Sequence, residues 1–312
     1  MANLQRDRLA AGPAGRVDMF ENFSSRDFVV DGGVRIHARI GGRGPGVLLL
    51  HGHPQTHVMW HLVAPRLARH YTVVVPDMRG FGDSSRPDPG DNSAAYGKRT
   101  MARDMVELMQ QLGFDRFLLG AHDRGARVAH RLALDFPQYA QKLFLLDIAP
   151  TLAMYERTSM AFARAYWHWF FLIQPPPLPE RLIEADPVAY LHDVMGRRHA
   201  GLAAFDADAL AEYERCLLLP HTARSICSDY RASAGIDLEH DRQDRAAGRR
   251  LAMPLRVLWA EHGAVGRNFD VLSLWRAASS SSVSGHAVDC GHYLAEEQPD
   301  LILHEMLAFF GQ

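Results

Sequence analysis

Two apolar patterns follow one another along the chain. Over FVVDGGVRIHARIGG (residues 28–42) apolar and polar residues alternate on either side of a Gly-Gly pair, the period of two that predicts a half-buried hairpin. Beyond it the alternation stops. GVLLLHG (46–52), YTVVVPD (71–77), RFLLGAH (116–122), KLFLLDI (142–148) and LRVLWAE (255–261) are short unbroken apolar runs, as expected of strands covered on both faces. Between most of them, VMWHLVAPRLARH, MARDMVELMQQLG and RGARVAHRLALDF carry apolar residues three and four apart, and the last two run out near Gly113 and Pro137 as helices do. Strand and helix in alternation predict a mostly parallel α/β sheet flanked by helices.

That rhythm breaks between Ala149 and about Met253, where aromatic helical segments such as AFARAYWHWFFLIQPPPLPE take over. Further helices are expected over LIEADPVAYLHDVM, ADALAEYERCLLL and TARSICSDYRAS, laid over the sheet edge as a lid. The expected organisation is a core of residues 1–149 and 254–312 with an inserted helical cap of residues 150–253. A lid matters because bulk water would otherwise compete for a desolvated nucleophile and a leaving anion.

The candidate chemistry centres on GAHDRG (120–125), in which an apolar strand ends in a tight small-residue turn and a helix begins. Ala121 and Gly125 have the spacing of the strand-turn-helix elbow that thrusts its middle side chain above the sheet. That side chain here is Asp123, not serine. A serine attacking a saturated carbon would leave an inert ether, whereas a carboxylate leaves an ester that water can still cleave. Arg124 and Arg127 fall within the first helical turn, near its positive end, and keep Asp123 ionised. A substrate carboxylate would take up part of that positive charge.

Two further residues follow in chain order. Asp147 closes a buried strand in FLLDIAP, and His292 lies in DCGHYLAEEQP before the last helix. Neutral His292 would deprotonate a water, with Asp147 orienting the ring; Glu261 or Asp270 remain alternatives for that acid. HGHPQTHVMW (51–60) stands at the carboxyl end of the first long buried strand, where open α/β sheets place ligands. Its His53 amide, with that of Arg124, would bind an oxyanion formed on the Asp123 ester. Four histidines there (His51, His53, His57, His61) have no carboxylate at a ligand spacing, so no metal is expected. Asp77 reads as a turn-former and Asp104 as a solvated helix residue.

Composition narrows the function classes. The net charge is -2, from 34 basic and 36 acidic residues, which gives no electrostatic reason to expect nucleic acid or an anionic membrane as partner. No apolar run approaches the roughly 18 to 20 residues that cross a bilayer, and the first twenty residues lack the continuous apolar core of a secretory signal. A loose leader and a cytoplasmic location are expected. Cys216, Cys227 and Cys290 are odd in number and widely spaced, which suits free thiols. The SSSS at 279–282 reads as a loop.

GAHDRGARV, LDIAPT, AYWHWFF, SDYRAS and GHYLAEE, with HGHPQTHVMW, RGFGDSSRP and YGKRTMARDMVELM, together resemble the fluoroacetate and haloacetate dehalogenases of the α/β-hydrolase superfamily. The resemblance spans most of the chain, core and cap together. It implies an α/β-hydrolase fold with Asp123 as nucleophile, His292 as base, Asp147 as its partner, and Arg124 and Arg127 gripping the carboxylate of a short 2-haloacid. It also implies halide binding by His168, Trp169 and Tyr230, no cofactor, and assembly as a homodimer. Two departures bear on pocket size and halide preference: His53 stands where the family usually has an aromatic residue, and GRRHAGLAAFD (196–206) lacks a tryptophan often found there. Epoxide hydrolases share the acidic elbow, the HGxP turn and a helical cap, but use cap phenols such as those of Tyr155, Tyr166, Tyr190, Tyr213 or Tyr230, and typically lack an arginine at position 124. A hydrolase-fold binding protein without turnover is the remaining alternative.

Overall fold

The computed structural model describes residues 18–311; the expected leader lies, up to residue 17, outside them. Eight strands, β1 (Phe23–Val30), β2 (Val34–Gly41), β3 (Gly46–Leu50), β4 (Thr72–Pro76), β5 (Phe117–His122), β6 (Ala140–Leu146), β7 (Leu255–Ala260) and β8 (Val283–Val288), form one sheet in the order β1-β2-β4-β3-β5-β6-β7-β8. The opening hairpin pairs antiparallel and joins β4 the same way; every other pairing is parallel. This is an α/β-hydrolase fold. All five residues of β3 and all six of β5 are buried, which is why they read as unbroken apolar runs. The chain goes from β3 outward to β4 and returns past it to β5, so the carboxyl ends of β3 and β5 open a crevice where the connections diverge.

Three helices precede β6: α1 (Ala64–Leu67), α2 (Lys98–Gln111) and α3 (Asp123–Asp135). Every residue of α3 from Asp123 to Leu134 is buried, so its polar side chains are held inside the molecule. Between β6 and β7 run eight α-helices and no strand: α4 (Thr151–Glu156), α5 (Met160–Ala165), α6 (Trp167–Leu172), α7 (Leu178–Ala185), α8 (Pro187–Gly196), α9 (Ala207–Leu217), α10 (Thr222–Ala234) and α11 (Ile236–Ala246). The chain closes with α12 (Ala264–Asn268), α13 (Val271–Ala277), α14 (Leu294–Glu297) and α15 (Pro299–Phe310).

Several expectations shift. VMWHLVAPRLARH is not one helix: a 3-10 turn at His57–Trp60 and the four residues of α1 replace it, because Pro65 has no amide to continue the ladder from the preceding turn. LIEADPVAYLHDVM divides at Asp186, whose carboxylate caps α8 by accepting the Ala189 amide at 3.0 Å, with Pro187 opening the new helix. The serine run leads directly into β8, an edge strand whose partly exposed, Gly-containing sequence VSGHAV lacks the apolar run that marks the others. Asp104 is buried, not solvated: its carboxylate takes two hydrogen bonds from Arg79, at 2.5 and 2.6 Å. Among the described residues no helix is long and apolar enough to cross a membrane.

Candidate active site

At the end of β5 the backbone turns through Asp123 with φ of 45°, a left-handed conformation that costs a non-glycine residue about 1–3 kcal/mol. Close packing holds it there. A Cβ on Gly52 would fall 2.6 Å from the Asp123 Cβ, and one on Gly125 would fall 2.4 Å from the His51 carbonyl oxygen. Only glycines let the β3 end and the α3 start approach this closely. The Gly125 amide donates to that carbonyl at 2.9 Å, and the His53 amide donates to Asp123 Oδ1 at 3.0 Å. The Arg124 amide makes no hydrogen bond to the carboxylate. Among the described residues no backbone amide donates to Oδ2.

His292 approaches from the loop between β8 and α14. Its Nδ1 donates to Asp147 Oδ2 at 2.5 Å, which leaves the Nε2 lone pair turned toward Asp123 Oδ2, 3.9 Å away. That gap is too long for a hydrogen bond. Asp147, also in left-handed backbone (φ of 47°), is fixed by the Ala260 amide at 3.0 Å. Two groups hold the histidine loop: His122 Nε2 donates to the His292 carbonyl at 2.8 Å, and the Glu297 carboxylate accepts the flanking amides of Gly291 and Tyr293 at 2.6 and 3.0 Å. Burial pushes the His122 imidazole down to about 3, so it stays neutral. Glu261 and Asp270 are exposed, and Asp270 caps α13 through the Ser273 amide.

Burial alone would discourage charge on Asp123, but the neighbouring His292 ring and the Arg127 and Arg124 guanidiniums outweigh it and hold the carboxyl well below the usual range. The two arginines differ. Arg124 Nε meets Asp229 Oδ2 at 2.5 Å and its Nη2 meets the Asp229 carbonyl and Ser233 Oγ, while Nη1 has no partner among the described residues. Lys98 bonds the other oxygen of Asp229, so the acid sits between two cations. Arg127 has no carboxylate partner: its contacts are Thr151 Oγ1 at 2.8 Å, the Ala149 carbonyl at 3.5 Å and the Met154 sulfur, and its Nε is unpaired. Both guanidiniums lie over aromatic rings, Arg124 over Tyr230 at 4.1 Å and Arg127 over Trp169 at 4.7 Å.

The same rings close the site from the helical segment. His168 and Trp169 come from α6 and Tyr230 from α10, with ring centres of His168 and Tyr230 5.9 Å apart and of Trp169 and Tyr230 6.5 Å apart. Trp169 Nε1 has no acceptor among the described residues. Burial keeps His168 well below the ordinary histidine value and raises the Tyr230 phenol well above its own, so the first is neutral and the second protonated. His53 reaches into this cluster, its Nε2 3.1 Å from the Tyr190 hydroxyl, and burial lowers its imidazole to about 3.

The other motif residues serve the scaffold. Asp77 accepts from the His57 and Asp83 amides at 2.8 and 2.9 Å, ordering two turns at once. His51, His57 and His61 are buried, and no cluster among the described residues could hold a metal. The three cysteines are free and buried. A separate cavity of about 290 Å³, lined in part by His130, Leu152 and Arg249, includes none of the residues around Asp123. His122, Lys98, Asp229 and Glu297 escaped the reading of the sequence. Asp229 stood inside SDYRAS, and Glu297 five residues after His292, but only tertiary contacts connect them to the site.

Residues 45–191 match the family model of the alpha/beta hydrolase fold. The fluoroacetate dehalogenase of Burkholderia sp is 42% identical over 295 residues, covering 93% of this chain and 95% of that protein. A soluble epoxide hydrolase of Corynebacterium sp. (strain C12) is 32% identical over 282 residues, covering 89% and 94%. A solved alpha/beta hydrolase structure from Nostoc sp PCC 7120 superimposes with a TM-score of 0.89 at 49% identity, covering 94% of this chain and 99% of that one. The chain is a hydrolase of the α/β-hydrolase superfamily and belongs, within it, to the fluoroacetate and haloacetate dehalogenase family.

Proposed function

We propose that the protein is a hydrolytic dehalogenase of short 2-haloacids, converting a haloacetate into glycolate and halide. The observation that carries this reading is Arg127, a buried guanidinium one helical turn from Asp123 with no carboxylate partner among the described residues. A buried cation without an anion is costly, and a substrate carboxylate bridging Arg127 and the open Nη1 of Arg124 would complete the pair.

With the carboxylate so held, Asp123 Oδ2 attacks the α-carbon from the side opposite the halogen. The new C–O bond forms as the carbon–halogen bond breaks, and the halide leaves with the bonding pair toward His168, Trp169 and Tyr230. Neutral N–H and O–H groups there replace water lost by the anion, a need greatest for fluoride. His292 Nε2 then takes a proton from a water that adds to the ester carbonyl carbon of Asp123. The His53 amide, already on Oδ1, stabilises the oxyanion, while Asp147 balances the imidazolium. As the tetrahedral adduct collapses, the C–O bond to the α-carbon's oxygen breaks and that oxygen takes the proton from the His292 imidazolium, releasing the hydroxy acid. The remaining acid proton passes to solvent and Asp123 returns to its carboxylate. The helical segment over the crevice acts as the cap that excludes water. A cytoplasmic homodimer belongs to the same reading.

Halide release from fluoroacetate, chloroacetate and bromoacetate, followed with ion-selective electrodes, tests it; silence on all three removes it. The competing reading is epoxide hydrolysis, favoured by the Tyr155 and Tyr166 hydroxyls, which have no partner among the described residues. A neutral epoxide would leave Arg127 unpaired, and diol formation from styrene oxide in place of halide release would favour that reading.

A further inference from the structure

The mechanism above leaves one cation of the site unused. Arg198 follows the end of α8, and its guanidinium carbon lies 4.9 Å from the ring centre of Tyr166. That ring packs 5.3 Å from His168 and 6.4 Å from His292, so the charge stands beside the reacting groups. Arg198 and His292 line the same cleft of about 490 Å³, together with His199 and Arg267. Arg198 has no carboxylate within ion-pair distance among the described residues, whereas its neighbours Arg197 and His262 meet Asp193 and Asp289 at 3.0 and 2.7 Å. The acids whose fields it feels, Asp123 and Asp147, are engaged with the His53 amide and with His292. A half-buried guanidinium without a fixed anion, facing a cavity, is a place for an anionic part of a ligand.

We propose that Arg198 is a second anion site and that the pocket accepts 2-halo dicarboxylic acids, one carboxylate held by Arg124 and Arg127 and the distal one by Arg198. The turnover part rests on the dehalogenase reading; the binding part does not. Arg198 belongs to specificity: it touches a substituent of the substrate and not the bonds that change.

The test compares chloroacetate with 2-chlorosuccinate for halide release, and acetate with succinate for binding by calorimetry, in the full-length protein and its Arg198→Gln and Arg198→Lys variants. Arg198→Gln should lower kcat/KM for 2-chlorosuccinate about tenfold or more relative to chloroacetate, chiefly through KM, with partial recovery in Arg198→Lys. The wild-type protein should bind succinate more tightly than acetate, and Arg198→Gln should erase that difference. Equal losses on both haloacids in Arg198→Gln, turnover of chloroacetate alone by the wild-type enzyme, or equal binding of succinate and acetate would overturn the proposal. No halide from either acid, with the succinate preference intact, would sink the dehalogenase reading and leave the second anion site standing.

Discussion

Asp123 keeps its charge where burial opposes it, and the cations that make this so divide into two kinds. Arg124 is locked to Asp229, which Lys98 neutralises from the other side, while Arg127 waits without an anion. The two should therefore answer differently to mutation. Asp229→Ala strands two buried cations and should cost about 3–5 kcal/mol of stability, whereas Arg127→Met should be neutral or stabilising in urea titrations. The same Arg127→Met change should lower kcat/KM for haloacetates by about a hundredfold, as expected for loss of one partner of a buried charge pair. If Arg127→Met unfolds the protein as readily as Asp229→Ala, the guanidinium is part of the scaffold and not a receptor. A second consequence concerns the nucleophile. His292→Gln should stop the cycle at the ester, with mass spectrometry finding one carboxymethyl group on the peptide that carries Asp123. Ester formation should stay flat from about pH 8 to about pH 5; a fall across that range would mean that burial, which raises a carboxyl, outweighs the cations.

The elements that deliver these residues were the most legible part of the sequence. β3 and β5 are buried throughout and β6 and β7 for most of their length, so their apolar runs stand out, and the candidate site residues come where the runs stop: His53 after β3, Asp123 after β5, Asp147 after β6. The loop carrying His292 was legible only as a turn before a helix, because Glu297, which gathers its amides, acts through geometry. β8 was missed since an edge strand need not be apolar, and the helix expected over 58–70 broke at a proline whose position in the pattern left it looking continuous. Where two elements nearly touch, the sequence shows only small residues and the structure gives the reason. Gly125→Ala would drive a methyl group into the His51 carbonyl; it should cost about 1–3 kcal/mol in urea titrations and lower kcat by displacing the elbow, while KM changes little. Wild-type stability in Gly125→Ala would mean that β3 and α3 are not locked in the way their contact suggests.

At the scale of the molecule, the site is assembled from pieces far apart in sequence. Arg124 meets Asp229, His292 meets Asp147, and Arg198 reaches Tyr166, each pairing core or helical segment across long stretches of chain. No local pattern encodes such contacts, so the sequence shows Lys98, Asp229 and Arg198 without showing what they meet. The interior also sets a pH dependence. Burial holds His53, His122 and His130 down to about 3, below their unfolded value of about 6.5. Between those values the unfolded chain binds protons that the folded one does not, so stability rises with pH through that window and levels off above it. Each such histidine contributes a slope of up to roughly 1.4 kcal/mol per pH unit. His130, packed on Trp275 at 5.0 Å and away from Asp123, isolates the effect. Urea midpoints at about pH 7, 6 and 5 should fall less steeply in His130→Gln than in the wild-type protein. Parallel slopes would mean that His130 titrates in the fold as it does in the open chain.

The most direct test of the chemistry follows the oxygen. With enzyme in excess over chloroacetate in oxygen-18 water, a single turnover should yield glycolate with an unlabelled hydroxyl, and the heavy isotope should appear in the carboxylate of Asp123. Labelled hydroxyl in that first turnover would show that water attacks the carbon directly, and would contradict the ester on which the account depends.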